Sequence, residues 1–287
     1  MKICPQCSTY FTDSNWLCPN CGYTPPLLEE VLAFSPELAL QCEGFEAHFF
    51  NQLATLEDRN FWFRGRSRLI IWAIQNYFKG AHSFLEIGCG TGFVLSGIEQ
   101  ALPSLDVQGS EVFTNGLRFA AQRLSRSRLF QMDARTIPFA EEFDVIGAFD
   151  VLEHIQEDTQ VLAEMYRASR QGIVLTVPQH PWLWSQADDY AHHVRRYCAQ
   201  ELKSKVESAG FRIARMTSFV SLLLPLMLAS RLRKRSPRET FDPTAELKVS
   251  GWLNSVLEAA LTVERQLIKT GFSFPVGGSL VVMAYKP

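Results

Sequence analysis

The chain has 287 residues, of which 47% are apolar and 20% are charged, proportions typical of a globular protein with a sizeable core. Its length favours one large domain with an appendage over two domains of equal size. The formal net charge of -2 excludes a general electrostatic attraction to nucleic acid, so nucleic acid is not expected as a partner unless a local basic patch provides the attraction.

The N-terminal segment carries four of the seven cysteines in two Cys-x-x-Cys pairs, Cys4 with Cys7 and Cys18 with Cys21. Four thiolates with this spacing can surround one Zn²⁺ ion. We therefore predict a structural zinc ribbon over residues 1–26, with a rubredoxin-like iron site as the alternative. Because sulfur would fill all four coordination positions, this metal is not expected to be catalytic.

The rest of the chain predicts an α/β fold. Residues 27–80 are predicted to form a helical linker that opens at Ser35-Pro36 and closes before Gly80. Strand-like runs then alternate with helices, which predicts a Rossmann-like, doubly wound, mostly parallel sheet over residues 81–287, with a ligand beyond the carboxyl ends of its strands. The predicted strands are 83–87, 105–110, 128–132, 143–149, 172–177 and 279–285.

Two further segments bear on location and membrane contact. The start of the chain lacks the layout of a signal peptide, which predicts a cytoplasmic protein. An apolar helical insertion is predicted at about 221–278, and the uncharged stretch 216–230 is shorter than the ~20 residues that span a bilayer. With the basic residues that follow it, the stretch 216–238 predicts either peripheral contact with an anionic membrane or a buried or dimer-forming hairpin. The basic residues are Arg231, Arg233, Lys234, Arg235 and Arg238.

The sequence LEIGCGTG, residues 85–92, places Glu86 before glycines at every second position. It lacks the Lys-Ser/Thr of a P-loop, and Phe93 stands where a dinucleotide fingerprint has its third glycine. Glycines let the backbone approach a bulky ligand closely, and a carboxylate suits a cationic amino group better than a phosphate. The loop is therefore predicted to bind a ligand other than a phosphate.

This motif resembles the first motif of the class I methyltransferases that use S-adenosylmethionine. The run FDVLEHI is similar to the quinone-biosynthesis-like group, which includes the type 11 and type 23 methyltransferases. The resemblance covers roughly residues 60–218 and 279–287. It implies a class I methyltransferase fold, S-adenosylmethionine as cofactor and methyl transfer as the activity.

The resemblance also implies which residues bind the cofactor. Glu111 would accept both ribose hydroxyls, Asp133 would accept from the adenine amino group, and Asp150 would lie near the methionine portion. Residues 62–66 are similar to an aromatic-arginine segment that closes over the cofactor, so the linker 27–80 is expected to cover it. The full expected set is Arg66, Glu86, Gly88, Cys89, Gly90, Glu111, Val112, Met132, Asp133, Ala134, Asp150 and Leu152.

Two histidines are the expected catalytic residues, because a base is needed if the methyl acceptor must lose a proton. His154 lies in LEHI, where the resemblance places the acceptor, and His193 lies in DDYAHHVRRY, which resembles an acceptor-side loop. His154 could instead bind a divalent ion with Glu153 or make only a backbone bond at a helix start. The loop could instead be solvated, with its arginines capping helices.

The acceptor class is the least determined feature. Residues 150–153 read Asp-Val-Leu-Glu, which differs from the Asn/Asp-Pro-Pro-Tyr of amino methylases and from the Pro-Cys of cytosine C5 enzymes. We therefore expect O- or C-methylation of a small or lipid-like acceptor. The alternatives are an RNA or protein methyltransferase recruited by the ribbon, through which a protein partner could bind, and a non-catalytic cofactor-binding scaffold.

Overall fold

The computed structural model describes residues 1–39, 47–231 and 248–287. Its helices and strands are numbered in chain order. The strands are β1 Lys2–Ile3, β2 Tyr10–Phe11, β3 Leu27–Leu28, β4 Val31–Ala33, β5 Ser83–Ile87, β6 Asp106–Glu111, β7 Arg128–Gln131, β8 Phe143–Phe149, β9 Ser169–Pro178, β10 Arg212–Phe219 and β11 Ser279–Tyr285. The helices are α1 Pro36–Ala39, α2 Ala47–Leu56, α3 Phe61–Tyr77, α4 Phe93–Ala101, α5 Thr114–Arg123, α6 Asp158–Ala168, α7 Gln186–Tyr190, α8 Ala199–Ser208, α9 Leu224–Arg231 and α10 Gly251–Lys269.

Within the described residues, nine strands form one sheet in the order β10-β11-β9-β8-β5-β6-β7-β4-β3. The strands from β9 to β4 are parallel, and β3, β10 and β11 run antiparallel to their neighbours. All seven residues of β8 are buried, as expected of a strand covered by helices on both faces. The predicted mostly parallel α/β sheet is confirmed.

The sheet register brings the functional loops together. Ile87 at the end of β5 lies opposite Ser110 of β6 and Ala148 of β8. Because parallel strands end at the same edge, the turns that follow β5, β6 and β8 meet there. This edge is where a ligand site is expected.

The prediction of a helix throughout 27–80 is wrong for its first residues. Leu27–Leu28 and Val31–Ala33 form a hairpin, and β4 extends the sheet by pairing with β7. Its two-residue turn, Glu29-Glu30, has φ of 51° and 67°, the conformation of a type I′ turn, which usually contains Asn-Gly. The sequence LLEEVLAF therefore carried an amphipathic pattern but no turn signal, and edge pairing determined the structure.

The cysteine segment packs directly on this sheet edge. The Ile3 backbone N–H donates to the Pro138 carbonyl oxygen over 2.9 Å. The ring of Trp16 lies 4.4 Å from Phe34 and 5.3 Å from Phe139, measured between ring centroids. Since Trp16 is buried, residues 1–34 share one hydrophobic core with the sheet.

The insertion after β10 contains α9 and α10. One face of α10 is buried against the protein and contacts α3. A second row of four apolar residues on the flank of α10 is exposed, from 41% at Leu267 to 72% at Trp252. This exposed row consists of Trp252, Val256, Val263 and Leu267. Among the described helices, none combines the length and apolar character needed to cross a membrane, and the basic residues at 233–238 lie outside the described residues.

Candidate functional site

A cavity of about 1290 Å³ opens at the carboxyl ends of β5, β6 and β8. Its walls come from the glycine turn after β5, the ends of β6 to β8, α3, the loop at 186–196, and parts of α9 and α10. All predicted cofactor and catalytic residues line this cavity except Leu152.

The glycine turn adopts a backbone conformation that other residues adopt only with strain. Gly88 and Gly90 have φ of 66° and 52°, in the left-handed region. A Cβ on Gly88 would lie 2.5 Å from the Val151 side chain. The turn is held by Glu111, whose carboxylate accepts from the backbone N–H groups of Gly90 at 3.0 Å and Val112 at 2.8 Å. Burial raises the pKa of Glu111, and these N–H groups oppose that rise.

Glu86 points into the cavity without a counterion in contact. It is 2% exposed, and its Oε2 atom has no hydrogen-bond partner among the described residues. Burial raises the pKa of Glu86 well above its ordinary value, while the charge of Arg66 opposes that rise. A buried carboxylate in this state is suited to a ligand that brings a positive charge and N–H donors, such as the amino group of S-adenosylmethionine.

Arg66 is held in place by Asp150. The two side chains form an ion pair, and the guanidinium also lies 4.4 Å from the ring centroid of Trp62. Asp150 has φ of 58° and accepts from the Thr176 hydroxyl at 3.1 Å. Burial lowers the pKa of Arg66 to about 10. Both residues of the pair line the cavity, and Asp150 holds Arg66 in position there.

The residues that follow β7 form a second part of the site. Met132, Asp133 and Ala134 line the cavity as predicted. The Asp133 carboxylate already accepts from the partly exposed Arg135, with Nη2 at 2.9 Å. Gln131 behind it donates to the carbonyl oxygens of residue 35 at 2.8 Å and residue 112 at 3.0 Å. These bonds tie the β3–β4 edge to the ends of β6 and β7.

Leu152 is the one expected cofactor residue that does not line the cavity. It is 1% exposed and belongs to the hydrophobic core, outside the cavity lining. It begins a short 3-10 helix, Leu152–His154, and its carbonyl oxygen accepts from the Tyr197 hydroxyl at 3.2 Å. The tight turn directs Leu152 inward and leaves the next two side chains to face the cavity.

Those two side chains and His193 form a cluster that lines the cavity. Glu153 is 0% exposed, and both of its carboxylate oxygens lack hydrogen-bond partners among the described residues. Burial raises the pKa of Glu153 to about 8. Burial also lowers the pKa of His154 to about 3, which keeps its ring neutral. The rings of His154 and His193 meet edge to face with centroids 4.7 Å apart.

The loop that carries His193 is fixed by Asp188. His193 Nδ1 lies 2.9 Å from Asp188 Oδ1, and Arg196 Nε donates to the same oxygen at 2.7 Å. Burial alone would raise the pKa of Asp188, but His193 and Arg196 hold it below its ordinary range. The Val194 N–H also donates to the Glu153 carbonyl oxygen at 2.7 Å. From the sequence alone, we assign no separate role to Asp188. The signal that could have identified it is the capping-box sequence Ser185-x-x-Asp188, which forms that box here.

The four N-terminal cysteines converge as predicted. The Sγ atoms of Cys4 and Cys21 lie 3.6 Å apart and those of Cys7 and Cys18 3.5 Å apart. All four sulfurs are within 4.8 Å of one another. Four thiolates at about 2.3 Å from a tetrahedral ion would be separated by roughly 3.8 Å, so this cluster can hold a metal ion.

Comparison with known proteins identifies related sequences. Residues 85–177 match a protein family described as a methyltransferase domain. The chain is 26% identical over 165 residues to a probable S-adenosylmethionine-dependent methyltransferase of Mycolicibacterium smegmatis. That alignment covers 55% of this chain and 62% of the relative, so the chain spans less than two thirds of the relative's length.

Solved structures share the fold at low identity. A chain from the complex of the Haloferax volcanii Trm112 methyltransferase activator with a candidate methyltransferase gives a TM-score of 0.54 at 14% identity, covering 84% of this chain and 94% of that one. The [4+2]-cyclase SpnF gives 0.51 at 19% identity, covering 79% and 83%. These matches establish the fold, and the second shows that the fold also serves a protein named as a cyclase.

Proposed function

Residues 85–177 form a domain of the S-adenosylmethionine-dependent methyltransferases, and from this premise we propose that the whole protein is an enzyme that methylates a small or lipid-like acceptor. The observation that carries this proposal is the buried, unpaired Oε2 of Glu86 beside the glycine turn, in one cavity with the cluster at His154 and His193. When bound, S-adenosylmethionine supplies a methyl group on a sulfonium, which is already activated for transfer.

The residues of the chain would bind and orient the cofactor and the acceptor and exclude water from them. Glu86 would accept from the cofactor's amino group, and Gly88 and Gly90 would let the backbone approach it. Each carboxylate oxygen carries two lone pairs, so Glu111 can accept ribose hydroxyls while it holds the turn. Methyl transfer is an in-line displacement, so alignment and removal of water supply most of the catalysis.

We assign His154 and His193 to the acceptor side of the cavity. Alanine at either position is expected to lower methyl transfer by about 10²- to 10⁴-fold, the range for a group that assists proton removal, with cofactor affinity nearly unchanged. Transfer of labelled methyl into a cell extract measures the first effect, and calorimetric titration with S-adenosylmethionine measures the second. His82, exposed at the start of β5, provides the matched His→Ala control. Loss of cofactor binding in either variant would contradict the assignment.

The surroundings of the cavity favour a lipid-like acceptor over a polar one. Leu226 and Met227 of α9 and Leu253 and Leu257 of α10 line the cavity. The exposed row of α10 (Trp252, Val256, Val263 and Leu267) lies on the flank of the same helix. We propose that this surface contacts a membrane that supplies the acceptor.

This membrane contact can be measured directly. Vesicles with anionic lipid are expected to carry the protein upward in a flotation gradient, because apolar insertion stabilises the bound state. Changing Trp252 and Val256 to serine should reduce the bound fraction several-fold. Serine at Leu17, which is 52% exposed in the ribbon, is the control. Equal flotation of both variants would contradict the proposal.

We propose that the cysteine cluster holds structural Zn²⁺. The sulfur spacing fits one ion, and the segment packs through Trp16 on the sheet. The ribbon also leaves Tyr10 and Leu17 about half exposed, which supports the alternative that it recruits a protein substrate. In that case labelled methyl groups would appear in protein.

A further inference from the structure

The ion pairs and hydrogen bonds around the cavity leave two buried carboxyl groups with unpartnered oxygens. Arg66 forms an ion pair with Asp150, and Arg196 forms one with Asp188. Glu111 is satisfied by backbone N–H groups. Among the described residues that line the cavity, Glu86 and Glu153 are the buried carboxylates with unpartnered oxygens. The proposed function uses Glu86 but gives no partner to Glu153.

Glu153 faces two imidazole rings. One ligand atom each from Glu153, His154 and His193 can be chosen so that all lie within 4.8 Å of one another. Nitrogen and oxygen ligands at about 2.1 Å from a tetrahedral ion lie roughly 3.4 Å apart, so a shift of up to roughly 0.7 Å in each side chain would close a coordination site. Two histidines and one carboxylate that leave positions open form an established type of divalent-metal site.

Both imidazole rings are oriented by a second bond, as metal-binding histidines usually are. Asp188 accepts from His193 Nδ1 at 2.9 Å, which leaves the Nε2 lone pair for another partner. The His154 ring has a hydrogen bond with the backbone of Ala191, and a neutral imidazole carries a lone pair on one of its nitrogens. The cluster thus offers one anionic oxygen ligand and two nitrogen lone pairs, with an outer shell in place.

We propose that Glu153, His154 and His193 bind one divalent metal ion on the acceptor side of the cavity, separate from the cysteine ribbon. Three protein ligands leave positions open for oxygen atoms of the acceptor. The fitting acceptor carries a hydroxyl or enol beside a second oxygen, so that it can chelate the ion. The binding of the ion rests on the geometry alone, whereas its use in methylation also rests on the proposed function.

With an ion bound, the two histidines would act in the reaction as its ligands. A hydroxyl bound to a divalent ion loses its proton more readily than a free one, and the proton leaves to water. The resulting oxygen forms its bond to the methyl carbon while the carbon–sulfur bond breaks and sulfur keeps the electron pair. The histidines then act as ligands of the ion and need not take the proton themselves.

Manganese binding to the full-length protein tests the site. Mn²⁺ prefers oxygen and nitrogen ligands to thiolates, so its electron paramagnetic resonance signal should report this cluster and not the ribbon. We expect one Mn²⁺ per chain, binding at least 10-fold weaker after Glu153→Gln or His193→Ala, and unchanged binding after His82→Ala. Asp188→Asn, which changes the partner of His193 but none of the proposed ligands, should weaken binding about 10- to 100-fold.

The controls separate failure of this proposal from failure of the proposed function. Glu153→Gln replaces a buried carboxyl group whose oxygens have no partner among the described residues, so its thermal midpoint should not fall. Its calorimetric affinity for S-adenosylmethionine should match the parent. Mn²⁺ binding equal in Glu153→Gln and parent would overturn the site. So would the absence of both Mn²⁺ binding and a second equivalent of bound Zn²⁺. If the ion binds as expected but methyl transfer is the same without it, the site stands and its role in the reaction is rejected.

Discussion

Replacing Glu86 by glutamine is expected to weaken S-adenosylmethionine binding about 10- to 150-fold. A hydrogen bond to a charged group contributes about 1.5–3 kcal/mol, and each 1.4 kcal/mol is roughly tenfold in affinity. Glutamine keeps the shape of the side chain but removes the negative charge that would face the cofactor's amino group. Calorimetric titration measures the change. Glu142→Gln, one residue before β8 and outside the cavity lining, is the control.

The same substitution is expected to stabilise the protein without cofactor at alkaline pH. Burial raises the pKa of Glu86 in the folded state, so between its unfolded and folded values the folded state binds more protons than the unfolded one. The free energy of unfolding therefore falls as pH rises through this window. Glutamine cannot ionise, so the thermal midpoint of Glu86→Gln should exceed that of the parent at pH 8 and approach it at pH 4. Unchanged cofactor affinity together with unchanged pH dependence would contradict the role given to Glu86.

Replacing Trp16 by alanine is expected to lower the free energy of unfolding of the whole protein by about 3–5 kcal/mol, the usual cost of truncating a buried aromatic residue. Trp16 packs against Phe34 and Phe139, so the loss would reach the sheet edge as well as the ribbon. Removal of the proposed metal by a chelator should act in the same direction, because a segment this short would depend on a bound metal for folding.

Denaturant unfolding measures this effect, and the neighbouring residue supplies the control. Leu17 is 52% exposed, and Leu17→Ala should change the free energy of unfolding by no more than about 0.5 kcal/mol. A Trp16→Ala variant that unfolds like Leu17→Ala would mean that the ribbon is not part of the sheet's core.

The sequence predicted the site best at positions where few residue types satisfy the structural or chemical requirement. Alternating glycines after a strand predicted the turn at Gly88 and Gly90, since few other residues adopt its φ angles. Acids at the ends of successive strands, matched to the family resemblance, predicted side chains that line one cavity, because parallel strands end at one edge. The cysteine spacing predicted the converging sulfurs, because two Cys-x-x-Cys pairs at this separation are typical of a metal site with four thiolates.

What the sequence did not predict depends on contacts between distant segments. The Glu29-Glu30 turn has no turn-forming residues and exists because β4 pairs with β7. The family resemblance implied that Leu152 lies near the cofactor, but the 3-10 turn and the bond from Tyr197 accompany a Leu152 side chain in the core. The role of Asp188 as a positioning residue depends on its contacts with His193 and Arg196, which the folded loop creates.

The central claim, methyl transfer from S-adenosylmethionine to a small or lipid-like acceptor, is tested most directly with the labelled cofactor. The protein is incubated with S-adenosylmethionine labelled in its methyl group and a cell extract, which is then separated into lipid, small-molecule, RNA and protein fractions. We predict label in the lipid or small-molecule fraction with the parent protein and at least 10-fold less with Glu86→Gln at the same limiting cofactor concentration. Label in no fraction, or equal label with both proteins, would contradict the claim.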